Sequence, residues 1–153
     1  MRFFTFLIYI YALTVNAQKT EKISFISANP FAMSDIITDL ENQESQEVFG
    51  KLVIPIDSLN NEKKFPLIIG VAGSLGWREH HYEYMDMYQK NGFATFELNS
   101  FKSRDVLSTV GSQIEVTTAS IILEEILFLS LIHISEPTRQ EAISYAVFCL
   151  KKK

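Results

Sequence analysis

The segment of this chain best suited to chemistry is Gly73-Ser74-Leu75-Gly76, a loop that directly follows the apolar run PLIIGV at residues 66–71 and Ala72. A chain that leaves the end of a buried strand must turn sharply. Glycines permit the positive φ angles and the close approach that aim backbone N–H groups at one point. The loop therefore either presents N–H groups to a ligand or is a plain strand-to-helix turn.

Arg104 is the second candidate, because its planar fork of donors can hold a carboxylate. It lies in a polar stretch after residues 93–98 (FATFEL), which are predicted to form a strand. That position puts Arg104 at the carboxyl edge of the predicted sheet, where ligands bind in open α/β sheets. The alternative is an ion pair with Asp105 or Glu97 that orders the loop.

No metal or cofactor site is predicted. Neighbours such as His80 and His81 point about 100° apart on a helix, so they cannot share one metal as an i, i+4 pair does. We interpret both as solvated residues at a helix start. An aromatic stripe lies nearby, made of Trp77, Tyr82, Tyr84 and Tyr88. It could line a ligand pocket, but packing of a helix on a sheet is the use we expect.

The elements that must position these residues follow an α/β order. The pattern predicts strands at 47–55, 66–71 and 93–98, a helix at 79–90, and a second helix opening at 117–128. Residues 24–27 are predicted to be extended, and residues 35–46 form a linker or a weak helix. Strand and helix alternating at this spacing predict right-handed crossovers and a mainly parallel sheet.

Composition narrows the class of protein. The chain has 153 residues, which is room for one ordinary domain, and 18 acidic against 14 basic residues give a net charge of -4. Such a chain has no surplus of cations to neutralise phosphates, so nucleic acid is not an expected partner. The single cysteine, Cys149, excludes an internal disulfide and a Cys-rich zinc site.

Residues 1–17 have the layout of a signal peptide. Arg2 supplies a positive start, residues 3–13 (FFTFLIYIYAL) are almost unbroken apolar sequence, and small or tolerated residues precede Gln18. The run is shorter than the roughly 20 residues that cross a bilayer, so a retained anchor is the weaker alternative. We expect a periplasmic or secreted protein with no stable membrane anchor.

Residues 129–153 look foreign to the rest. LSLIHISEPTR at 129–139, ISYAVFCL at 143–150 and the closing lysines resemble the translation of a transposase-type sequencing adapter followed by its flow-cell sequence and a run of adenines. The alternative is a native C-terminal strand with a basic tail. On the first interpretation this segment is a non-native tail, and the partial domain to interpret is 18–128.

From residue 47 to residue 125 the chain resembles the N-terminal part of the dienelactone hydrolase family. The similarity is carried by short blocks in the same order, namely GKL at 50–52 with Pro55, KFPLII at 64–69, GSLGW at 73–77, NGFAT at 91–95, and Ser100-Phe101 before Arg104. The resemblance implies the truncated N-terminal portion of an α/β-hydrolase-type, mainly parallel sheet. Ala72, Asn99 and Asp105 stand where the family usually has His, Asp and Gly.

The resemblance also implies a reaction. Backbone N–H groups at Ser74 or Leu75 become candidate donors to the oxyanion formed when a nucleophile attacks a carbonyl, and Arg104 becomes a candidate substrate-binding residue. No Gly-x-Ser-x-Gly pattern or cysteine version occurs in the 153 residues, so no catalytic residue is assigned. We expect an inactive fragment, with residues 93–98 left as an unpaired sheet edge.

The intact protein is then expected to be an exported hydrolase that cleaves a small ester or lactone by nucleophilic acyl transfer. The alternative is an exported, non-catalytic α/β binding module, which the departures at Ala72 and Asn99 favour.

Overall fold

The computed structural model describes residues 18–56, 64–134 and 143–145. The strands are β1 (Gln18–Ala28), β2 (Ser45–Pro55), β3 (Phe65–Val71), β4 (Ala94–Leu98) and β5 (Ile143–Tyr145). The helices are α1 (Met33–Thr38), α2 (Glu79–Lys90) and α3 (Thr118–Ile134), with 3₁₀ turns at Leu40–Asn42 and Lys102–Arg104. The predicted helix at 79–90 is confirmed at both ends, as are the strands at 47–55, 66–71 and 93–98 to within two residues.

The sheet is mixed, so the prediction of a mainly parallel α/β-hydrolase-type sheet is wrong. The strand order is β1-β2-β4-β3-β5, and β2 runs antiparallel to both β1 and β4. Among the four longer strands only β3 and β4 pair in parallel, and the three-residue β5 pairs in parallel with β3. The parallel unit was predictable from the helix between β3 and β4, but it describes only part of the sheet.

Connection length explains part of that error. Nine residues, 56–64, separate β2 from β3, fewer than the dozen or more that a crossover between parallel strands requires. β1 and β2 form a long antiparallel pair in register from Gln18 opposite Pro55 to Ala28 opposite Ser45. The end at Ala28 and Ser45 is followed by a hydrogen bond from the Asn29 N–H to the Glu44 carbonyl, 3.0 Å.

β4 lies inside the sheet, between β2 and β3, and all five of its residues are buried. The expectation that residues 93–98 form an unpaired edge is therefore wrong. The predicted signal peptide at 1–17 lies outside the described residues, as does most of the adapter-like segment. The part of that segment that is described comprises the last turns of α3 and β5, and its origin stays a prediction.

The main core lies between the sheet and α3. The rings of Phe96 and Phe128 stack with centroids 3.5 Å apart and planes 5° from parallel. Gly50 on β2 makes room for this pair, because a Cβ there would lie 2.1 Å from the nearest atom of the Phe96 ring. The other sheet face packs on α2 through Met85, which lies against Gly70 of β3.

This architecture brings three segments to one edge. Val71 and Leu98 are register partners at the carboxyl ends of β3 and β4, so the loops that follow them start side by side. The start of α3 is held by Thr117, whose Oγ1 accepts a hydrogen bond from the Ser120 N–H at 3.0 Å. The same hydroxyl donates to the Pro30 carbonyl at 2.6 Å, which ties the loop after β1 to α3.

Candidate functional site

The loop after β3 is a tight turn, which we call the 73–76 turn. It is closed by a hydrogen bond from the Gly76 N–H to the Gly73 carbonyl, 2.8 Å. Gly76 has φ 73°, a left-handed conformation that side chains with a Cβ rarely adopt. Ser74 and Leu75, the two predicted oxyanion donors, are the central residues of this turn, and both are exposed.

Two hydrogen bonds hold the turn through the Ser74 carbonyl. The Ser74 carbonyl accepts hydrogen bonds from the Thr109 N–H at 2.8 Å and from the Ser108 hydroxyl at 3.0 Å. Next to the turn, the Trp77 indole N–H donates to the Leu98 carbonyl at 2.9 Å. This bond fixes the Trp77 side chain to the end of β4. The backbone of the turn is thus fastened to two neighbouring segments.

Two backbone donors of the turn stay available. In the described part of the chain, neither the Ser74 N–H nor the Leu75 N–H donates a hydrogen bond to a protein acceptor. Exposed donors on a fixed turn can bind an oxygen atom that carries negative charge, at little reorganisation cost. The arrangement therefore fits the chemistry predicted for it, while the oxyanion role itself stays a prediction.

Arg104 is an interior residue. Its Nη1 lies 2.7 Å from Glu124 Oε1 on α3, and the two side chains are 5% and 0% exposed. Nε donates to Asn29 Oδ1 at 2.8 Å and Nη1 to the Ser100 carbonyl at 3.0 Å, while the Ser100 hydroxyl donates to Glu124 Oε2. We call Arg104, Glu124, Ser100 and Asn29 the Arg104 cluster.

The partner of Arg104 differs from both residues that the sequence offered. Glu97 lies instead 3.8 Å from Lys102 Nζ, and Asp105 caps the 3₁₀ turn in a left-handed conformation with φ 56°. Sequence reasoning missed Glu124. A signal was present, because an acidic residue inside the apolar run IILEEILFL must find a counter-charge if it is buried. A substrate-binding role for Arg104 stays a prediction. Its guanidinium already has protein partners.

Two carboxyl groups on α3, in and next to the cluster, have raised pKa values. Burial raises the pKa of the Glu124 carboxyl, while the Arg104 charge and the Ser100 hydroxyl oppose the rise. Burial also raises the pKa of Glu125, and the neighbouring Glu124 charge raises it further. The pKa values of two neighbouring carboxyl groups on α3 are therefore raised, and only that of Glu124 is opposed by the Arg104 charge.

The histidines and aromatic residues form a packed group beside the turn. Trp77 stacks on Tyr82 with centroids 5.6 Å apart, and the rings of His80 and His81 are 3.9 Å apart. The His81 Nδ1 accepts a hydrogen bond from the Arg78 N–H at 2.9 Å, so it caps the start of α2. Across the described residues no group of three potential His, Cys, Asp or Glu metal ligands occurs.

A groove of about 350 Å³ opens where the loop after β1 meets the start of α3. Its lining includes Phe31, Met33, Ile114 and Thr117. A smaller polar groove of about 140 Å³ lies between α2 and the sheet and includes Glu97. Neither groove includes the 73–76 turn among its lining residues.

Comparison with known proteins adds no relative. Neither a protein-family model nor a curated protein matches the chain. The similarity to dienelactone hydrolases thus rests on the short blocks themselves. Among the described helices none has the length and apolar character needed to cross a membrane.

Proposed function

We propose that this chain belongs to an exported hydrolase that cleaves a small ester or lactone by nucleophilic acyl transfer, with the 73–76 turn binding the oxyanion. The observation that carries the proposal is that the backbone N–H groups at Ser74 and Leu75 have no acceptor among the residues that the structure describes. They stand at the carboxyl end of β3, on a turn whose carbonyl side is fastened by Thr109 and Ser108.

Such donors act where charge develops. Attack on a carbonyl converts a neutral oxygen to an oxyanion, and donors already fixed toward that position stabilise it without moving. Removal of one such donor typically lowers kcat by about 10²- to 10³-fold. Because the donors are backbone groups, the identities of the side chains at Ser74 and Leu75 matter less than the shape of the turn.

The reaction needs a nucleophile, an acid and a histidine that we do not assign within this chain. No Gly-x-Ser-x-Gly pattern occurs in the 153 residues, and we propose that the parent gene encodes these residues beyond Phe128. The 153-residue chain alone is then expected to turn over no ester. Its acidic balance argues against a nucleic-acid partner.

The first experiment is to read the source DNA past codon 128. The proposal expects native codons in place of the adapter-like segment, with a Gly-x-Ser-x-Gly or Gly-x-Cys-x-Gly block followed by Asp and His. The longer product should hydrolyse a chromogenic acetate ester, while the 153-residue chain should not. Native codons that continue in frame through residues 129–153 would overturn the proposal of a longer parent.

The second experiment tests the turn in the longer product. Ser74→Pro removes one N–H at the turn position that proline favours, while Ser74→Ala keeps that N–H. We expect Ser74→Pro to lower kcat by about 10²-fold or more with KM little changed, and Ser74→Ala to lower it less than tenfold. Equal kcat values for the two variants would show that the Ser74 N–H does not stabilise the oxyanion.

The second candidate function is an exported binding module without catalysis. The groove of about 350 Å³ at the start of α3 favours it, since that volume falls in the range of small-molecule sites. The same DNA reading separates the two candidates. A continuation that lacks any nucleophile motif would select the binding module.

A further inference from the structure

Three apolar residues in or next to the 73–76 turn are exposed. Leu75 is 53% exposed, Leu107 is 88% exposed and Val110 is 67% exposed. A leucine that is almost wholly in contact with water contributes nothing to the core. We call these three exposed residues the 75/107/110 surface, and it lies beside two backbone donors that have no acceptor among the described residues.

Hydrogen bonds bring these residues together. Thr109 and Ser108 donate to the Ser74 carbonyl, so the residues that flank them, Leu107 and Val110, lie alongside the turn. The backbone contact is close as well, because a Cβ on Gly76 would lie 3.3 Å from the Leu107 carbonyl oxygen. The apolar surface is therefore fixed to the same backbone that carries the free donors.

The nearest predicted carboxylate-binding group is turned inward. The Arg104 side chain is 5% exposed, its Nη1 lies 2.7 Å from Glu124, and its Nε and Nη1 donate to Asn29 and to the Ser100 carbonyl. A substrate carboxylate could reach this guanidinium only by separating a buried ion pair, which is strongly unfavourable. The Arg104 charge at this edge is thus already neutralised, and Arg78 at the exposed start of α2 is the arginine whose role the experiment below tests.

We infer that the substrate is an uncharged ester whose alkyl chain packs on Leu75, Leu107 and Val110 while its carbonyl oxygen meets the N–H groups of the turn. This inference rests on the proposed function and specifies its substrate class. It disfavours substrates that carry a carboxylate. Affinity should rise with alkyl length, by about two- to fourfold for each methylene that is buried.

The test is an NMR titration of the isotope-labelled 153-residue chain. The probes are methyl acetate, methyl butanoate, methyl hexanoate and the monomethyl adipate anion, which matches the hexanoate in acyl length but ends in a carboxylate. Methyl resonances of Leu75, Leu107 and Val110 report the alkyl chain, and amide resonances of Ser74 and Leu75 report the carbonyl. We expect both sets to shift, with methyl hexanoate the tightest ligand.

Two variants test whether the alkyl chain of the ester contacts Leu107. Leu107→Ser should weaken methyl hexanoate binding by about threefold or more and leave methyl acetate binding nearly as it was. Ile37→Ser is the matched control, because Ile37 is 78% exposed on α1, and it should change neither affinity. Equal weakening by both variants would overturn the inference.

The outcomes separate the inference from the function on which it rests. Amide shifts without methyl shifts would overturn the apolar preference and keep the oxyanion turn. Methyl shifts without amide shifts would overturn the oxyanion role and keep the apolar surface, and no shifts would overturn both. Tighter binding of monomethyl adipate, abolished by Arg78→Gln at the exposed start of α2, would replace the apolar preference with a carboxylate site.

Discussion

The 73–76 turn and the Arg104 cluster stand at the same edge of the sheet and are built in opposite ways. Residues 73–75 of the turn are exposed, none of its residues is charged, and two of its backbone donors have no acceptor within the part of the chain that the structure describes. The cluster is buried and joins its guanidinium and carboxylate to each other and to neighbouring segments. Charged side chains here hold the edge together, and the groups left for a ligand belong to the backbone.

The largest effect should come from breaking the cluster. Arg104→Met leaves the Glu124 carboxylate buried without its counter-charge, and we expect a loss of about 3–5 kcal/mol in the free energy of unfolding. Urea denaturation at pH 7 measures it. Lys102→Met is the control, because the Lys102 side chain is 57% exposed and its partner Glu97, although buried, also accepts a hydrogen bond from Asn99 Nδ2. Lys102→Met should cost clearly less than Arg104→Met.

A double variant keeps this prediction testable if Arg104→Met fails to fold. Arg104→Met combined with Glu124→Leu removes both charges, and apolar replacement of a buried pair is often neutral or stabilising. We expect the double variant to recover most of the lost stability. A double variant as unstable as Arg104→Met would show that the cluster acts through its other hydrogen bonds rather than through charge pairing.

Of the two glycines in the 73–76 turn, only Gly76 should contribute strongly to the free energy of unfolding. Gly76→Ala forces a Cβ into a left-handed conformation and to 3.3 Å from the Leu107 carbonyl, and we expect a loss of about 1–2 kcal/mol in urea denaturation. Gly73→Ala is the matched control, since nothing lies within 4 Å of a Cβ there and its φ is not positive. A loss at Gly73 as large as that at Gly76 would contradict the geometry of the turn.

The same contrast explains what could be predicted from sequence. The turn was predictable because glycine spacing and the end of an apolar run are local signals, and so were both ends of α2. The Arg104–Glu124 pair joins residues 20 apart in two different elements, and only the tertiary fold brings them to 2.7 Å. The mixed sheet was missed for a related reason. β2 pairs with β1 and β4, and the sequence of a strand does not specify which strands it pairs with.

Asp105 carries strain in the loop that holds the cluster. It is the one non-glycine residue with positive φ in the described ranges. Asp105→Gly should therefore raise the free energy of unfolding by up to about 1 kcal/mol, because relief of the left-handed conformation outweighs the added freedom of the unfolded chain. Asp86→Gly in α2 should lower it by a few tenths of a kcal/mol, since aspartate is only slightly better than glycine inside a helix. Destabilisation by both glycines in a thermal melt would show that the Asp105 side chain stabilises the loop.

The smallest effect should depend on pH and belongs to the α3 side of the edge. Burial and the Glu124 charge raise the pKa of Glu125 above its ordinary value near 4.5. Between that value and the raised one, the folded chain holds more protons than the unfolded chain, so this group's contribution makes stability fall as pH rises. Glu125→Gln removes that cost.

We therefore expect Glu125→Gln to be more stable than the parent chain at pH 7, by less than about 1 kcal/mol because Glu125 is only half buried. The gain should shrink as the pH falls below about 4.5, where the parent carboxyl is protonated in both states. Urea denaturation at pH 4 and pH 7 measures the difference, with Glu83→Gln on the exposed face of α2 as control. A gain that is equal at both pH values would mean that Glu125 destabilises α3 through its shape rather than its charge.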